Sequence, residues 1–229
     1  DAYKTSFALV TKHKSDVPLT DESPYCDSSI PYIQTKILAE KIAFKYYREK
    51  KLPVCIIRPS WIYGPGDRTL FPELAYQVRK SGMVFIGNAT NYILLVYIDN
   101  LVDALLLAGE KPEAVGQAFI ISDSELITWK DLASIITHAV EGKKGTLTIP
   151  YSLAYFVAIF FELFGKIRRQ KNRPLLTRSV IEMMGKSIVL DTQKASHILG
   201  YQQRISLDEG IKNSIEWLQT VDINNIRVK

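Results

Sequence analysis

The sequence predicts an α/β protein built on a parallel sheet. Three observations lead there. Val54-Cys55-Ile56-Ile57 is a continuous apolar run bounded by prolines, the pattern of a strand buried on both faces. Residues 117–121 (QAFII) repeat that pattern. Stretches with helical periodicity lie between such runs, and strands alternating with helices mark this class. The composition permits it. A chain of 229 residues, 47% apolar and 23% charged, is ordinary for a globular protein. It has room for one large domain or two small ones, and disorder, collagen and coiled coil are poor readings of it.

Taken in order, residues 12–29 are rich in Lys, Asp, Pro and Ser and read as a long surface loop. Residues 31–50 read as a helix. Pro31 suits its first turn, and Ile37, Leu38 and Ile42 form an apolar stripe beside Lys41 and Lys45. Lys50-Lys-Leu-Pro53 ends it. The strand at 54–57 follows, and Arg58-Pro59 stops that. Tyr63-Gly-Pro-Gly-Asp67 is a tight loop. A helix is expected over 71–81, a strand over 93–98, and a helix over 100–109 with Asp99 placed to cap it. After the strand at 117–121, Thr128 opens a helix that runs to about 140. Residues 151–164 form a very apolar helix, and two more helices are expected near 174–184 and 206–219. There is no internal repeat.

The net charge is +5, unevenly placed. Residues 1–115 carry 14 basic and 13 acidic side chains; residues 116–229 carry 15 and 11. Five of the basic ones fall in Lys166-Ile-Arg-Arg-Gln-Lys-Asn-Arg173. Outside that run the chain is neutral and no nucleic-acid motif is recognisable, so no nucleic-acid partner is expected. Cys26 and Cys55 cannot make a disulfide framework or a four-ligand zinc site. The three histidines lie far apart without ligand spacing, and no metal is expected. The cysteine count fits a reduced, cytoplasmic chain. Asp1 is not a start methionine and no leader pattern follows it, so the chain reads as processed or as a piece of something longer.

Residues 149–164 (IPYSLAYFVAIFFELF) fall short of the ~20 residues that cross a bilayer, and Ser152 and Glu162 interrupt them. The basic run follows directly. Two readings stand. The helix is buried in the core or roofs an apolar substrate pocket, or the stretch 151–173 makes a peripheral membrane contact. The two agree if the substrate is a lipid.

The candidate chemistry sits at the start of the 31–50 helix. Tyr32 and Lys36 stand four apart and project from one face. A free phenol titrates near 10, and a nearby ammonium favours phenolate, which is what proton transfer with an alcohol requires. Spacing alone does not choose this pair. Tyr46/Lys50, Tyr47/Lys51 and Tyr76/Lys80 share it. Two of these sit at the charged end of the helix, and the last has no motif nearby. Only Tyr32/Lys36 opens a helix that runs into a buried strand ending Arg58-Pro59. The alternative is an ordinary surface pair.

At this point the residues resemble the extended short-chain dehydrogenase/reductase family. Four blocks match in order: Pro31-Tyr-Ile-Gln-Thr-Lys36 with Ala39-Glu40, then Arg58-Pro-Ser-Trp-Ile-Tyr-Gly-Pro-Gly-Asp67, then Val96-Tyr-Ile-Asp99-Asn100 into Leu101-Val-Asp103-Ala104, then Gly116-Gln-Ala-Phe-Ile-Ile121. In the last third, Arg173-Pro-Leu-Leu-Thr-Arg178, Asp191-Thr-Gln-Lys-Ala195, Leu199-Gly-Tyr201, Glu209-Gly-Ile and Glu216-Trp-Leu218 are similar to the 3β-hydroxysteroid dehydrogenase branch.

The resemblance implies a partial Rossmann, or doubly wound, sheet lacking its N-terminal βαβ units. Residues 1–66 would be the remainder of the cofactor domain, with strands near 93–98 and 117–121 contributing. Residues 67–229 would be a mostly helical substrate-binding and C-terminal region. It implies NAD or NADP as cofactor, with NAD favoured, and a homodimer. It implies a catalytic Ser6 in Thr5-Ser-Phe-Ala-Leu-Val10, with Thr5 second; the alternative is an ordinary terminal serine. Tyr32 would exchange the hydroxyl proton, Lys36 would hold the phenolate and the nicotinamide ribose, and Ser6 would orient the substrate oxygen. Pro59, Ser60, Trp61 and Ile62 would lie along the nicotinamide, though Trp61 reads equally as a core aromatic. Asp99 and Asp103 read as a cap and a solvated helix position.

The dinucleotide fingerprint G-x-G-x-x-G is absent. Gly64 and Gly66 make the only G-x-G; it carries Pro65 and follows the wrong strand, so it reads as a loop. Relative to the family, about 100 residues of βα units are missing, and the isolated chain is expected to bind cofactor poorly. The leading expectation is an NAD(P)-dependent oxidoreductase acting on a small apolar alcohol or ketone of 3β-hydroxysteroid or sterol type. The alternatives are a sugar-nucleotide epimerase or dehydratase, and a non-catalytic fragment or cofactor-sensing relative.

Overall fold

A computed structural model of the chain describes residues 2–4, 18–27, 31–142, 146–167, 181 and 188–226. The chain forms two compact units. The first comprises Asp1–Asp67, Leu94–Leu126 and Ile188–Ser214; the second comprises Arg68–Ile93, Ile127–Ser187 and Ile215–Lys229.

The first unit is the α/β core. Strands β1 (Ala2–Lys4), β2 (Cys55–Pro59) and β7 (Ala118–Ile121) form a parallel sheet in the order β1-β2-β7. Ala2 pairs with Cys55, Ile56 with Ala118 and Pro59 with Ile121. Every residue of β2 and β7 is buried, as the two apolar runs predict. Alternation along the strands assigns the faces. Cys55, Ile57, Phe119 and Ile121 pack with Leu101, Ala104 and Ala108 of helix α3 (Ile98–Glu110). Those three positions recur at helical spacing on one side of α3. Arg58 faces the other way and meets Glu40 of helix α1 (Pro31–Lys50). Helices therefore cover both sides of the sheet.

The outer edge of β7 is closed by a side chain. The Ile120 N–H donates to Oδ1 of Asp21, and Leu19 packs on Ile120. An edge donor that would otherwise be a template for another strand is thus satisfied within the chain. A second parallel ladder joins β3 (Trp61–Tyr63) to β6 (Leu95–Tyr97).

The expected strand at 93–98 is two short strands. Tyr92–Ile93 (β5) pairs antiparallel with Ile127–Thr128 (β8) in the second unit, while β6 pairs with β3. The chain changes partners at Leu94, which one apolar run conceals. Asp99 is also corrected. Helix α3 begins at Ile98 after an extended Tyr97, so Asp99 lies inside the first turn and no side chain caps it. Its carboxylate there favours the helix dipole.

The second unit holds α2 (Phe71–Lys80), β4 (Met83–Ile86), α4 (Trp129–Ala139), β9 (Thr146–Ile149), α5 (Tyr151–Ile167) and α7 (Ile223–Ile226). β4 and β9 pair in parallel. Thr128 caps α4: its Oγ accepts from the Asp131 N–H at 3.1 Å, as the sequence predicts. Helix α6 (Leu207–Thr220) carries residues of both units. In the first unit Gly210 lets it meet the Tyr63–Tyr97 pair; a Cβ there would lie 2.5 Å from the Tyr63 Oη. The expected helix at 174–184 lies outside the described residues apart from Ile181, which is helical and buried.

Candidate active site

Tyr32, Lys36 and Glu40 lie one turn apart along α1. Rotating 40° per step, they pass from the exposed side of the helix toward its buried side. Tyr32 is 51% exposed. The Lys36 ammonium lies over its ring, 5.7 Å from the centroid. Glu40 is fully buried and bonded to the sheet. Ile33 and Ile37, with Tyr25 and Cys26 against them, seat the helix by its apolar side.

Glu40 meets Arg58 in a buried ion pair. Arg58 Nη2 donates to Glu40 Oε2 at 2.7 Å, and Nε lies 3.2 Å from both carboxylate oxygens. Arg58 Nη1 donates to the Asp21 carbonyl at 2.8 Å, and the Tyr25 hydroxyl donates to Glu40 Oε2 at 3.1 Å. Burial and the Glu40 charge push the Tyr25 phenol up. The pair fixes both the rotation and the height of the Tyr32-bearing helix against the carboxyl end of β2. The sequence contains the signal: Glu40 occupies the buried register of Ile33 and Ile37, and Arg58 interrupts an apolar strand. A charge at a core-facing position calls for a buried counter-charge.

The four residues expected along the cofactor are placed unequally. Pro59 is a buried member of β2. Ile62 packs onto the core of the first unit. Trp61 is half-buried, with its N–H donating to Leu94 O at 3.0 Å. Ser60 sits at the turn between β2 and β3, its N–H bonded to Ile121 O at 2.9 Å. Its hydroxyl is buried and has no hydrogen-bond partner among the described residues. The position beyond the carboxyl ends of parallel strands is where open α/β sheets bind ligands, and a buried hydroxyl lacking a partner calls for one. That fits a polar group such as a cofactor amide. Ser6 and Thr5 lie outside the described residues. Among the described residues no group of three His, Cys, Asp or Glu side chains could hold a metal ion.

Sequence reasoning missed a second buried polar cluster. Asp123, just past β7, accepts from the Tyr97 N–H and from Asn100 Nδ2, both at 2.9 Å. Asn100 is fully buried and also donates to Ile205 O, while its Oδ1 accepts from the Arg204 and Ile205 N–H groups. One side chain thus ties the start of α3, the end of β7 and the segment before α6. Asp103 pairs with Arg204 at 2.9 Å on the surface, a contact worth little in water.

Two of these carboxylates make a pH prediction. Burial raises Asp21 and Asp123 from 3.8 to about 6, against the hydrogen bonds that lower them. In each case the folded value lies above the unfolded one. The stabilisation is therefore full below about pH 4 and is lost as pH rises through about 6. Urea midpoints should fall across that window. Asp21→Asn, which keeps an acceptor for Ile120, should flatten the slope and stabilise the protein at neutral pH by up to about 3 kcal/mol. A midpoint that rises across the window would show both groups already ionised at its lower end.

Residues 6–122 match the model of the NAD dependent epimerase/dehydratase family. The chain is 31% identical, over 83% of its length, to a 3beta-hydroxysteroid-dehydrogenase/decarboxylase of Arabidopsis thaliana, of which it covers 48%. It is 30% identical, over 91% of its length, to a 2-alkyl-3-oxoalkanoate reductase of Stenotrophomonas maltophilia, of which it covers 65%. The chain thus spans about half to two-thirds of the length of these relatives. Among solved structures, a UDP-glucuronic acid 4-epimerase of Bacillus cereus in complex with NAD superposes with a TM-score of 0.70 at 19% identity, covering 96% of this chain and 62% of that one. That likeness shows the Rossmann-type fold.

Proposed function

The chain belongs to the NAD dependent epimerase/dehydratase family, and from that premise we propose that it is the catalytic part of an oxidoreductase that interconverts an apolar secondary alcohol and its ketone. The observation that carries the reading is the Lys36 ammonium over the Tyr32 ring, on a helix cross-tied to the carboxyl end of a buried parallel strand.

A bound nicotinamide would supply the acceptor or donor of the hydride. The chain's own residues handle the proton and the geometry. Tyr32 Oη takes the hydroxyl proton in oxidation and returns it in reduction. Lys36 sets its ammonium beside the Tyr32 ring and would hold the nicotinamide ribose. The Glu40–Arg58 pair keeps both at a fixed height over the strand end. Ser60 offers its buried hydroxyl to the cofactor beside Pro59, Trp61 and Ile62, and Ser6 orients the substrate oxygen. NAD is favoured over NADP.

One relative is named for a 3β-hydroxysteroid and the other for a 3-oxoalkanoate, so both names carry an oxygen function at carbon 3. That supports a 3β-hydroxysteroid or sterol-like substrate for this chain. The test is to supply the intact protein with NAD or NADP, following reduced nicotinamide for a 3β-hydroxysteroid and the sugar product by chromatography for a UDP-sugar, whose epimerisation or dehydration leaves the nicotinamide unchanged. Turnover of a 3β-hydroxysteroid, with none of a UDP-sugar, is the expected result. Turnover of the UDP-sugar alone would overturn the assignment.

A further inference from the structure

We propose that Tyr25, on the segment ahead of α1, is a positioning residue for Tyr32 and Lys36 that acts through Glu40, an inference that rests on the oxidoreductase reading above. The composition of this segment predicts a surface loop, yet Leu19 and Asp21 are only 4% and 8% exposed. Leu19 N–H donates to Val189 O, and Asp191 N–H donates to Leu19 O, both at 2.9 Å. Asp21 accepts from the Ile120 N–H through its carboxylate and from Arg58 through its carbonyl. Glu22 pairs with Lys194 at 3.0 Å. Tyr25 therefore follows a stretch anchored to the edge of the sheet.

Tyr25 joins the strand to the helix. Its ring meets two cations, each from a different element. Arg58 Cζ of β2 lies 5.7 Å from the ring centroid, and Lys41 Nζ of α1 lies 5.4 Å from it. Its hydroxyl donates to Glu40 Oε2 at 3.1 Å, the oxygen that also takes Arg58 Nη2. Burial, and then the Glu40 charge, push the phenol up, so it remains a donor through neutral pH. Arg58 reaches the carboxylate from the strand and Tyr25 reaches it from the loop.

Glu40 stands one turn from Lys36 and two turns from Tyr32. A helix transmits a shift along its axis, so a displacement at Glu40 moves both residues of the candidate chemistry. Folding depends on the Tyr25 hydroxyl much less. The Glu40–Arg58 pair survives its removal, and the ring keeps its place against Ile33 and Ile37.

The test is Tyr25→Phe in the intact protein, which keeps the ring and removes one donor. It should lower kcat by about three- to tenfold, less than the ~100-fold that a 1 Å misplacement costs. KM and nicotinamide affinity should not change. When Glu40→Leu and Arg58→Met are already present, Tyr25→Phe should change kcat by less than about twofold, since the carboxylate it acts through is gone. A purely structural hydroxyl would instead lower the urea midpoint and leave kcat alone. Amide exchange gives a readout that needs no turnover. Residues 35–38 of α1 should exchange at least about threefold faster in Tyr25→Phe, with β2 and β7 unchanged. A wild-type kcat in Tyr25→Phe, an equal loss in the background lacking the pair, or unchanged exchange over 35–38 would overturn the proposal. A wild type that turns over no alcohol would sink the oxidoreductase reading instead, and the exchange of 35–38 would still tell whether Tyr25 holds the helix.

Discussion

Tyr32→Phe in the intact protein should lower kcat by a factor of about 10² to 10⁴, the range that a positioned proton donor supplies. Nicotinamide binding should stay close to wild type, because the ring and its stacking against Lys36 survive. The hydroxyl is the only atom removed, and the side chain is half-exposed on the second residue of its helix. Loss of folding therefore does not compete as an explanation. Stopped-flow turnover together with a nicotinamide titration separates the two effects. Turnover within a few-fold of wild type would remove Tyr32 from the chemistry. Tightly bound cofactor without turnover in the wild type itself would point instead to a sensor.

Breaking the buried ion pair should have the largest effect on stability. Arg58→Met leaves the fully buried Glu40 carboxylate with only the Tyr25 hydroxyl among the partners described above. Glu40→Leu leaves a buried guanidinium with the Asp21 carbonyl and the Tyr25 ring but no described counter-charge. Each should cost about 3–5 kcal/mol, the price of an uncompensated buried charge. The pair replaced together should recover most of that, since apolar groups of similar volume often stabilise as well as a buried pair does. Urea denaturation of the two single variants and the double gives the coupling directly. The double variant then has a second use. If the pair positions Tyr32 and Lys36, turnover stays depressed after stability has returned. Full activity in a stable double variant would make the pair purely structural.

Much of the first unit is legible in the sequence, for reasons that can be named. The strands at 54–57 and 117–121 announce themselves because a parallel strand is buried on both faces and has no polar side to dilute the signal. The structure extends the first to Cys55–Pro59 and begins the second at Ala118. Pro31 and Thr128 mark helix starts through backbone chemistry that acts locally. The ribbon β4/β9 in the second unit escapes notice. Met83-Val-Phe-Ile86 and Thr146-Leu-Thr-Ile149 are four residues each, too short for a period to show, and their partners lie some sixty residues apart. The break at Leu94 is hidden because both neighbouring strands are apolar, and only pairing distinguishes them.

The site divides in the same way. The Tyr32/Lys36 spacing is a helix-surface relation and is visible at once. Glu40 and Arg58 stand in the blocks that resemble the family, yet their union depends on which face of α1 meets the sheet. Asn100 was likewise in plain view. Its role needs Ile205, a hundred residues on, and no local pattern carries that.

The two buried polar ties also set an order of assembly. Glu40 and Arg58 are 18 residues apart in the chain, whereas Asn100 and Ile205 are 105 apart. Closing the longer loop costs about 1.6 kcal/mol more entropy. The cross-tie between α1 and β2 can thus form while the rest of the chain is still open, and the Asn100 clasp closes only after the last segment arrives. On unfolding the sequence reverses. Amide exchange should release the 204–207 segment before α1, and the helix bearing Tyr32 would be among the last parts of its unit to let go.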